Sequence, residues 1–532
     1  MDPDRPHFIV FMTDQQRADL LGCAGHPVLK TPHIDAVAAR GVRFERFYVA
    51  NPVCMPNRAS LMTGRASSVH GVRCNGMPLP LEQVTFVELL AAAGYATTLV
   101  GKAHLQNMTG SPPILQRPAP NASMQRLDGL DQAVRTRHAD ARYQQEADAR
   151  DWADPATRVQ TPYYGFQHVD LCTGHGDLVR GNYVAWAQAR GLDLDRTAGA
   201  ANALPHDMRC PQAWRTAVPE ELYPSRYIAE QACAALDRHA GDERPFFLLV
   251  SFPDPHHPFT PPGRYWDMYD PASMPPEAAY ARSDWQPPPH VQAVFDQRNA
   301  GRANLNGHAA FAVDAEEARQ AHALSCAMVS MIDDAVGQVL ARLQHHGLTQ
   351  RTVVAFTSDH GDFLGDHRLL LKGPAHYQSL IRVPMVWADP AEPEVAGSTR
   401  QALASSIDLP ATVLARAGIE RPWGMQGLSL LETVASGRPV RASVLVEEEQ
   451  QRHCFGFAEP PRVHTLVTER WRLSLFRGVA WGELYDLQQD PGEFVNLWGD
   501  AAHLVVKADL LAEFARTQIT MQDDCPFPTG QA

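Results

Sequence analysis

The chain has 532 residues, enough for one large domain and a smaller partner. Hydrophobic residues at 45% and charged residues at 20% form a globular balance that excludes a mainly disordered chain, a collagen and a coiled-coil rod. With 47 basic and 60 acidic residues the formal charge is −13, which argues against a nucleic-acid binder but leaves room for one small anionic substrate in a basic pocket.

The opening MDPDRPHFIVFMTD sets acids before only five apolar residues and reads as neither a signal peptide nor an anchor. No apolar run reaches the ~18 residues of a membrane span, so no membrane is expected. His7-Phe-Ile-Val-Phe-Met12 predicts a buried strand leading into Thr13-Asp14-Gln15. Thr31-Pro32 predicts a helix start that Gly41 closes. Thr85-Phe-Val-Glu88 is a capping box for a helix ending at Gly94. Ala96 to Val100 predicts a second strand, leading into Gly101-Lys102-Ala103-His104. Residues 106–240 are polar, Ala-rich and Pro-containing, an elaborated insertion in which His175-Gly176-Asp177 either lines a pocket or is a plain loop. Phe246 to Val250 predicts a third strand, leading into Pro255-His256-His257. Residues 253–290 predict an irregular loop whose Tyr265, Trp266, Tyr269 and Trp285 either cage a quaternary amine or pack the loop. Apolar residues at helical spacing predict a helix over 326–346, stopped at Gly347, with His345-His346 at its exposed end. Thr352 to Phe356 predicts a fourth strand, leading into Ser358-Asp359-His360-Gly361.

These four runs are nearly continuous, as strands buried on both faces of a parallel sheet require. Each ends in titratable or metal-binding residues, and ligands of open α/β sheets bind outside the carboxyl ends of the strands. Beyond the Gly-Arg-Pro at 437–439 come short strand-like runs (Ser443 to Val446, His464 to Thr468, Trp471 to Phe476) and a helix near 502–517. The expected organisation is an α/β catalytic domain over 1–436 and a smaller α+β domain over 437–532. Nine scattered cysteines with no CxxC pair suit neither a disulfide framework nor a thiolate zinc site, and point to a reducing, cytoplasmic setting.

The segment Pro52-Val-Cys54-Met55-Pro56-Asn57-Arg58 carries the chemistry. Pro56 suits an early helical position, so Cys54 falls at a helix N-terminus, where unpaired N–H groups favour anions and lower a thiol pKa. Arg58 follows one turn later on the same face. Cys54-x-Pro56-x-Arg58 resembles the formylglycine motif of the sulfatase family within the alkaline phosphatase superfamily. Thr13-Asp14-Gln15, Gly101-Lys102-x-His104, Pro255-His256-x-Pro258, Ser358-Asp359-His360-Gly361, Lys372-Gly373 and the segment from Glu483 to Leu497 resemble family blocks in the same order. Many sulfatases have small residues at the positions of Met55 and Asn57, Asp-Asp at Asp14-Gln15, and Asp-Asn at Asp359-His360. The Asp-Gln and Asp-His pairs, and Asn75, resemble the choline sulfatase and phosphonate monoester hydrolase branch.

The resemblance implies a large, mixed, mostly parallel sheet flanked by helices. It also implies conversion of Cys54 to formylglycine by a formylglycine-generating enzyme, and one divalent metal ion held by Asp14, Gln15, residue 54, Asp359 and His360. Two carboxylates among neutral ligands balance a divalent charge; oxygen ligands suit Ca²⁺ and one imidazole shifts preference toward Mn²⁺. The hydrated aldehyde attacks the ester and forms a covalent intermediate. Lys102, His256 and Lys372 hold the non-bridging oxygens, with His256 or Lys372 as acid for the leaving group. Arg58 orients residue 54, His104 takes the proton that lets the aldehyde return, and Asn75 contacts substrate. The expected activity is hydrolysis of small anionic sulfate esters. Phosphonate monoester or phosphodiester hydrolysis at the same site and an inactive anion-binding homologue are the alternatives. The resemblance also implies a homo-oligomer.

Overall fold

The computed structural model describes residues 5–115, 119, 122–125, 127 and 140–531. Part of the 106–240 stretch therefore lies outside the described residues. Among those described, nine strands form the main sheet: β1 (His7–Asp14), β2 (Val42–Phe44), β3 (Ala96–Lys102), β4 (His168–Thr173), β5 (Arg180–Gly181), β6 (Phe246–Pro255), β7 (Thr352–Ser358), β8 (Met385–Ala388) and β9 (Ser398–Arg400). Their order is β9-β2-β8-β7-β1-β6-β3-β4-β5. The four strands expected from the sequence, β7, β1, β6 and β3, lie side by side and pair in parallel. Every residue of these four is buried, which is why their sequences run apolar without alternation. β8 and β5 are antiparallel to their neighbours, so the sheet is mixed and mostly parallel.

The helices follow their local signals. α1 (Pro32–Ala39) starts with proline after Thr31, and α3 (Phe86–Ala92) carries the capping box of Thr85 and Glu88. Between them, α2 (Cys54–Thr63) is buried along its whole length. α4 (Pro224–Ala240) and the long α5 (Ala315–His345) pack against each other and on β6. α5 begins eleven residues earlier than its apolar spacing suggested, because Asp314 and Glu317 form a second capping box. It is long and apolar enough to cross a membrane by those measures alone, but its apolar stretch is mostly buried within the fold.

The stretch read as an insertion is partly integral to the sheet: β4 pairs with β3 in parallel and α4 covers the sheet. β4 escaped the sequence reading because His168 is exposed and Asp170 half-buried, which breaks the apolar run. Beyond it, β10 (Ser443–Glu449), β11 (Arg462–Thr468), β12 (Trp471–Phe476) and β13 (Gly482–Asp486) make an antiparallel sheet in chain order. One face, with Leu445, Leu466, Leu473 and Leu484, takes Leu510 and Phe514 of α6 (Leu504–Thr520). The opposite face, with Thr465, Ser474 and Glu483, turns toward the main sheet's loops, as the two-residue period of a strand requires.

Candidate active site

Five neighbouring strand ends deliver the polar groups. Asp14 ends β1, Lys102 ends β3, His175 follows β4, His256 follows β6, and Asp359 and His360 follow β7. Gly101 makes the approach of β3 possible: its φ is +104° and a Cβ there would lie 1.9 Å from the Ser251 carbonyl oxygen. α2 points its N-terminus at this rim, with Cys54 as its first residue. Asn75 Oδ1 accepts the Met55 N–H at 3.1 Å, satisfying one of the helix's free donors.

Arg58 spans two carboxylates. Its Nε donates to Asp359 Oδ2 at 2.7 Å, and Nη2 lies 3.5 Å from Asp14 Oδ2. Nη1 donates to the Lys102 carbonyl at 2.8 Å and to Ser251 Oγ at 3.0 Å. Lys102 Nζ donates to Asp14 Oδ2 as well. The outer oxygens of both acids are thus taken by cations, and the inner ones face His360. Its Nε2 lies 3.5 Å from Asp14 Oδ1, 3.7 Å from Asp359 Oδ1 and 3.1 Å from Cys54 Sγ. Burial opposes ionisation of Asp14, but Lys102, His256, His175 and Arg58 override it and hold the carboxyl well below its usual range.

Lys372 Nζ closes the site from the other side, 3.0 Å from Cys54 Sγ, 2.9 Å from His256 Nε2, 3.0 Å from His360 Nε2 and 3.2 Å from Gln15 Oε1. Burial and Asp14 both oppose ionisation of Cys54, yet Lys372, His360 and Lys102 bring its thiol below the ordinary value. His256 stacks on His175 with ring centroids 3.6 Å apart. Burial first, then His175, Lys372 and His257, hold His256 well below the usual histidine range, so its ring is neutral.

The donor set fits a divalent cation. Asp14, Cys54, Asp359 and His360 are all buried, with one ligand atom of each within 4.8 Å of the others. His360 Nδ1 donates to the Gly361 carbonyl at 2.8 Å, which orients the ring so that Nε2 faces the cluster. Two carboxylates balance the ion's charge. Gln15 adds Oε1 nearby; its amide nitrogen is anchored on Asp362 and 3.1 Å from His257 Nδ1. Its backbone, at φ +67°, is held by the Asp359 carboxylate accepting the Gln15 N–H at 3.1 Å.

Nine residues predicted from the sequence therefore meet: Asp14, Gln15, Cys54, Arg58, Lys102, His256, Asp359, His360 and Lys372. His104 lies beyond Lys102 at φ +55°, with Nδ1 buried and unpartnered. Burial, then Lys102 and Arg58, push its pKa well below the usual value. Asn75 lines the cleft mouth beside Lys372. Sequence reasoning missed Glu146, whose carboxylate accepts the backbone N–H groups of His104, Leu105 and Gln106 at 2.7–2.9 Å. No local pattern marks it. It also left His175 undecided, although His175 Nε2 is 2.6 Å from Lys102 Nζ; a strand assignment over 168–173 would have placed it. Asn57 donates to the Asp359 carbonyl at 2.5 Å and accepts from Ser406. The aromatics of 265–285 pack the loop: Tyr265 donates to Asp334, Tyr269 bonds Ser330, and Trp285 lies among Phe295, His367 and Phe494.

A family model described as "Sulfatase" matches residues 6–419, and one described as "N-sulphoglucosamine sulphohydrolase, C-terminal" matches residues 365–520. The multifunctional alkaline phosphatase superfamily protein PehA of Trinickia caryophylli is 28% identical over 524 residues, 95% of this chain and 93% of its own. The choline-sulfatase of Rhizobium meliloti is 27% identical over 525 residues, 96% of this chain and 86% of its own. Among solved structures, the phosphonate monoester hydrolase of Agrobacterium radiobacter shares the fold with a TM-score of 0.74 at 22% identity, over 98% of this chain and 96% of that one.

Proposed function

The chain belongs to the sulfatase family, and from that premise we propose that it hydrolyses sulfate esters with a formylglycine derived from Cys54. The observation that carries this reading is the buried meeting of Cys54, at the head of α2, with Asp14, Asp359, His360 and the Lys372 ammonium. A divalent cation, Mn²⁺ or Ca²⁺, when bound by Asp14, Gln15, residue 54, Asp359 and His360, supplies Lewis-acid chemistry.

The chain's own residues do the rest. Arg58 fixes both carboxylates and the Lys102 carbonyl, so the rim is preorganised before substrate enters. Lys102 and Lys372 bind the non-bridging oxygens of the ester, and His256 Nε2 accepts from the Lys372 ammonium at 2.9 Å and orients it. Lys372 gives a proton to the departing alcohol, directly or through His256 Nε2 at 2.9 Å, and neutral His104 accepts one at Nδ1. Asn75 contacts substrate at the mouth.

Tetrahedral sulfate and phosphoryl groups need similar donors, so slower turnover of phosphonate monoesters and phosphodiesters is expected at the same site. Steady-state kinetics on matched aryl sulfate and phosphonate esters test the order; a phosphorus ester favoured by orders of magnitude in kcat/KM reverses it. Peptide mass across residues 54–58 tests the nucleophile. A thiol persisting after expression with a formylglycine-generating enzyme favours an inactive anion-binding homologue. Nine free thiols suit a reducing, cytoplasmic setting, and exposed Leu504, Val505 and Ile519 on α6 suit a homo-oligomer, which light scattering would detect.

A further inference from the structure

The cleft that opens beside Lys372 is lined by Val53, Cys74, Asn75, His308 and Arg452. Among the described residues, no carboxylate lines this mouth. Arg452 is half-buried there and, among the described residues, makes no hydrogen bond, ion pair or ring contact. Two other arginines, Arg73 and Arg462, are by contrast matched: both pair with Glu449. Burial even lowers the pKa of the Arg452 guanidinium, the mark of a cation partly stripped of water and given no counter-charge.

The loop that carries Arg452 is anchored. Gln451 on one side donates to the Asn75 carbonyl at 2.6 Å, and its Oε1 accepts the Ile114 N–H at 3.1 Å. On the other side, buried Phe455 lies so close to Gly373 that a Cβ on that glycine would stand 2.5 Å from its ring. Arg452 is thereby tied to the segment that begins with Lys372. An unpaired guanidinium on a fixed loop, at the open end of a cleft whose floor binds a sulfuryl group, suits a planar oxyanion better than water alone. Even in a chain of net charge −13, a local unpaired cation attracts an anion.

We propose that Arg452 forms a second anion subsite, which holds a carboxylate or a further sulfate on the leaving alcohol. This rests on the sulfate-ester reading above and narrows it to esters of anionic alcohols. The same charge disfavours a quaternary ammonium leaving group. It stands apart from the groups at the floor, because Arg452 makes none of the contacts that tie Lys102, Lys372 and His256 together.

The test compares 3-carboxy-4-nitrophenyl sulfate with 4-nitrophenyl sulfate in the mature full-length protein, its Arg452→Met variant and its Arg452→Lys variant. R452M is expected to lower kcat/KM for the carboxylated ester about tenfold more than for the neutral one, mainly through KM, with R452K in between. Taking the ratio of variant to wild type cancels the intrinsic difference between the two phenols. Equal losses on both esters overturn the subsite and leave the sulfate-ester reading standing. A second arm measures binding of 5-hydroxy-2-nitrobenzoate and of 4-nitrophenol by calorimetry. Arginine-dependent binding of the former without turnover of either ester retains the subsite and sinks the sulfate-ester reading. Binding of the two phenols that R452M leaves unaltered overturns the subsite whatever the turnover.

Discussion

At the rim of the main sheet, Lys102 Nζ faces His175 Nε2 and Lys372 Nζ faces both His256 Nε2 and His360 Nε2, so nitrogen meets nitrogen around a thiol. On the inner face of the antiparallel sheet, Arg472 lies between Glu483 and Glu493, stacked over Tyr485, and His376 lies between Glu448 and Thr465. Both clusters are buried and both are rich in charge. In the second, the Arg472 guanidinium has two carboxylates against it, which is how a buried cation avoids an uncompensated charge. In the first, two carboxylates have their outer oxygens taken by Arg58 and Lys102 while their inner oxygens, a histidine ring nitrogen and the Lys372 ammonium converge. That arrangement fits the cation and the oxyanion proposed for it. Pairing marks scaffold, and unpaired convergence marks a site.

The sharpest break of this comparison is at position 54. Cys54→Ala should lower kcat by a factor on the order of 10⁴ or more, while thermal melting shows the fold retained. Asp359→Ala should lose bound metal by elemental analysis together with activity. It should also destabilise the chain by about 3–5 kcal/mol in denaturant melts, since Arg58 keeps only a weaker contact with Asp14. Lys372→Ala should cost roughly 10²–10³ in kcat, the usual loss of one preorganised donor, and an unchanged rate would remove Lys372 from the oxyanion clamp.

These positions were legible because each sits in or directly after a feature with its own signature: an apolar run that ends in charge, or a proline and an arginine spaced for one helix face. Asp14, Lys102, His256 and Asp359 could be placed on one rim from the four runs alone. Lys372 could not. It stands on an irregular segment after the short helix and strand at 366–370, and only the resemblance pointed to it. Glu146 has no sequence signal, since its role is to accept three backbone N–H groups of a turn about 40 residues away. β13 was missed because Gly482-Glu-Leu-Tyr-Asp486 buries charged residues, against the rule that half-buried strands alternate apolar and polar. The reason is Arg472, which neutralises Glu483 from the neighbouring strand.

The smaller effects test the scaffold side. Arg472→Met leaves Glu483 and Glu493 buried without their cation, so it should destabilise by about 3–5 kcal/mol in denaturant melts while kcat of the folded protein stays near wild type. A large loss of kcat at unchanged stability would instead make this face part of the site. His290 gives the pH counterpart. Burial, opposed by Glu483 and assisted by Arg472, pushes its pKa down to about 4, against about 6.5 when unfolded. Above pH 6.5 the ring is neutral in both states and its contribution is fully present. Between pH 6.5 and 4 only the unfolded chain takes up the proton, so stability falls as pH falls, by a total on the order of 3 kcal/mol for this residue. His7 and His239, also near 4, act with the same sign. The ring stacks on Trp481 at 5.3 Å and lies near Phe455, Phe457 and Phe476, a surround that accepts phenylalanine. His290→Phe should therefore keep the fold and flatten the decline of melting temperature between pH 6.5 and 4. If the decline is as steep as in wild type, the antiparallel sheet does not hold a neutral histidine there, and its inner face is less fully paired than the contrast with the rim requires.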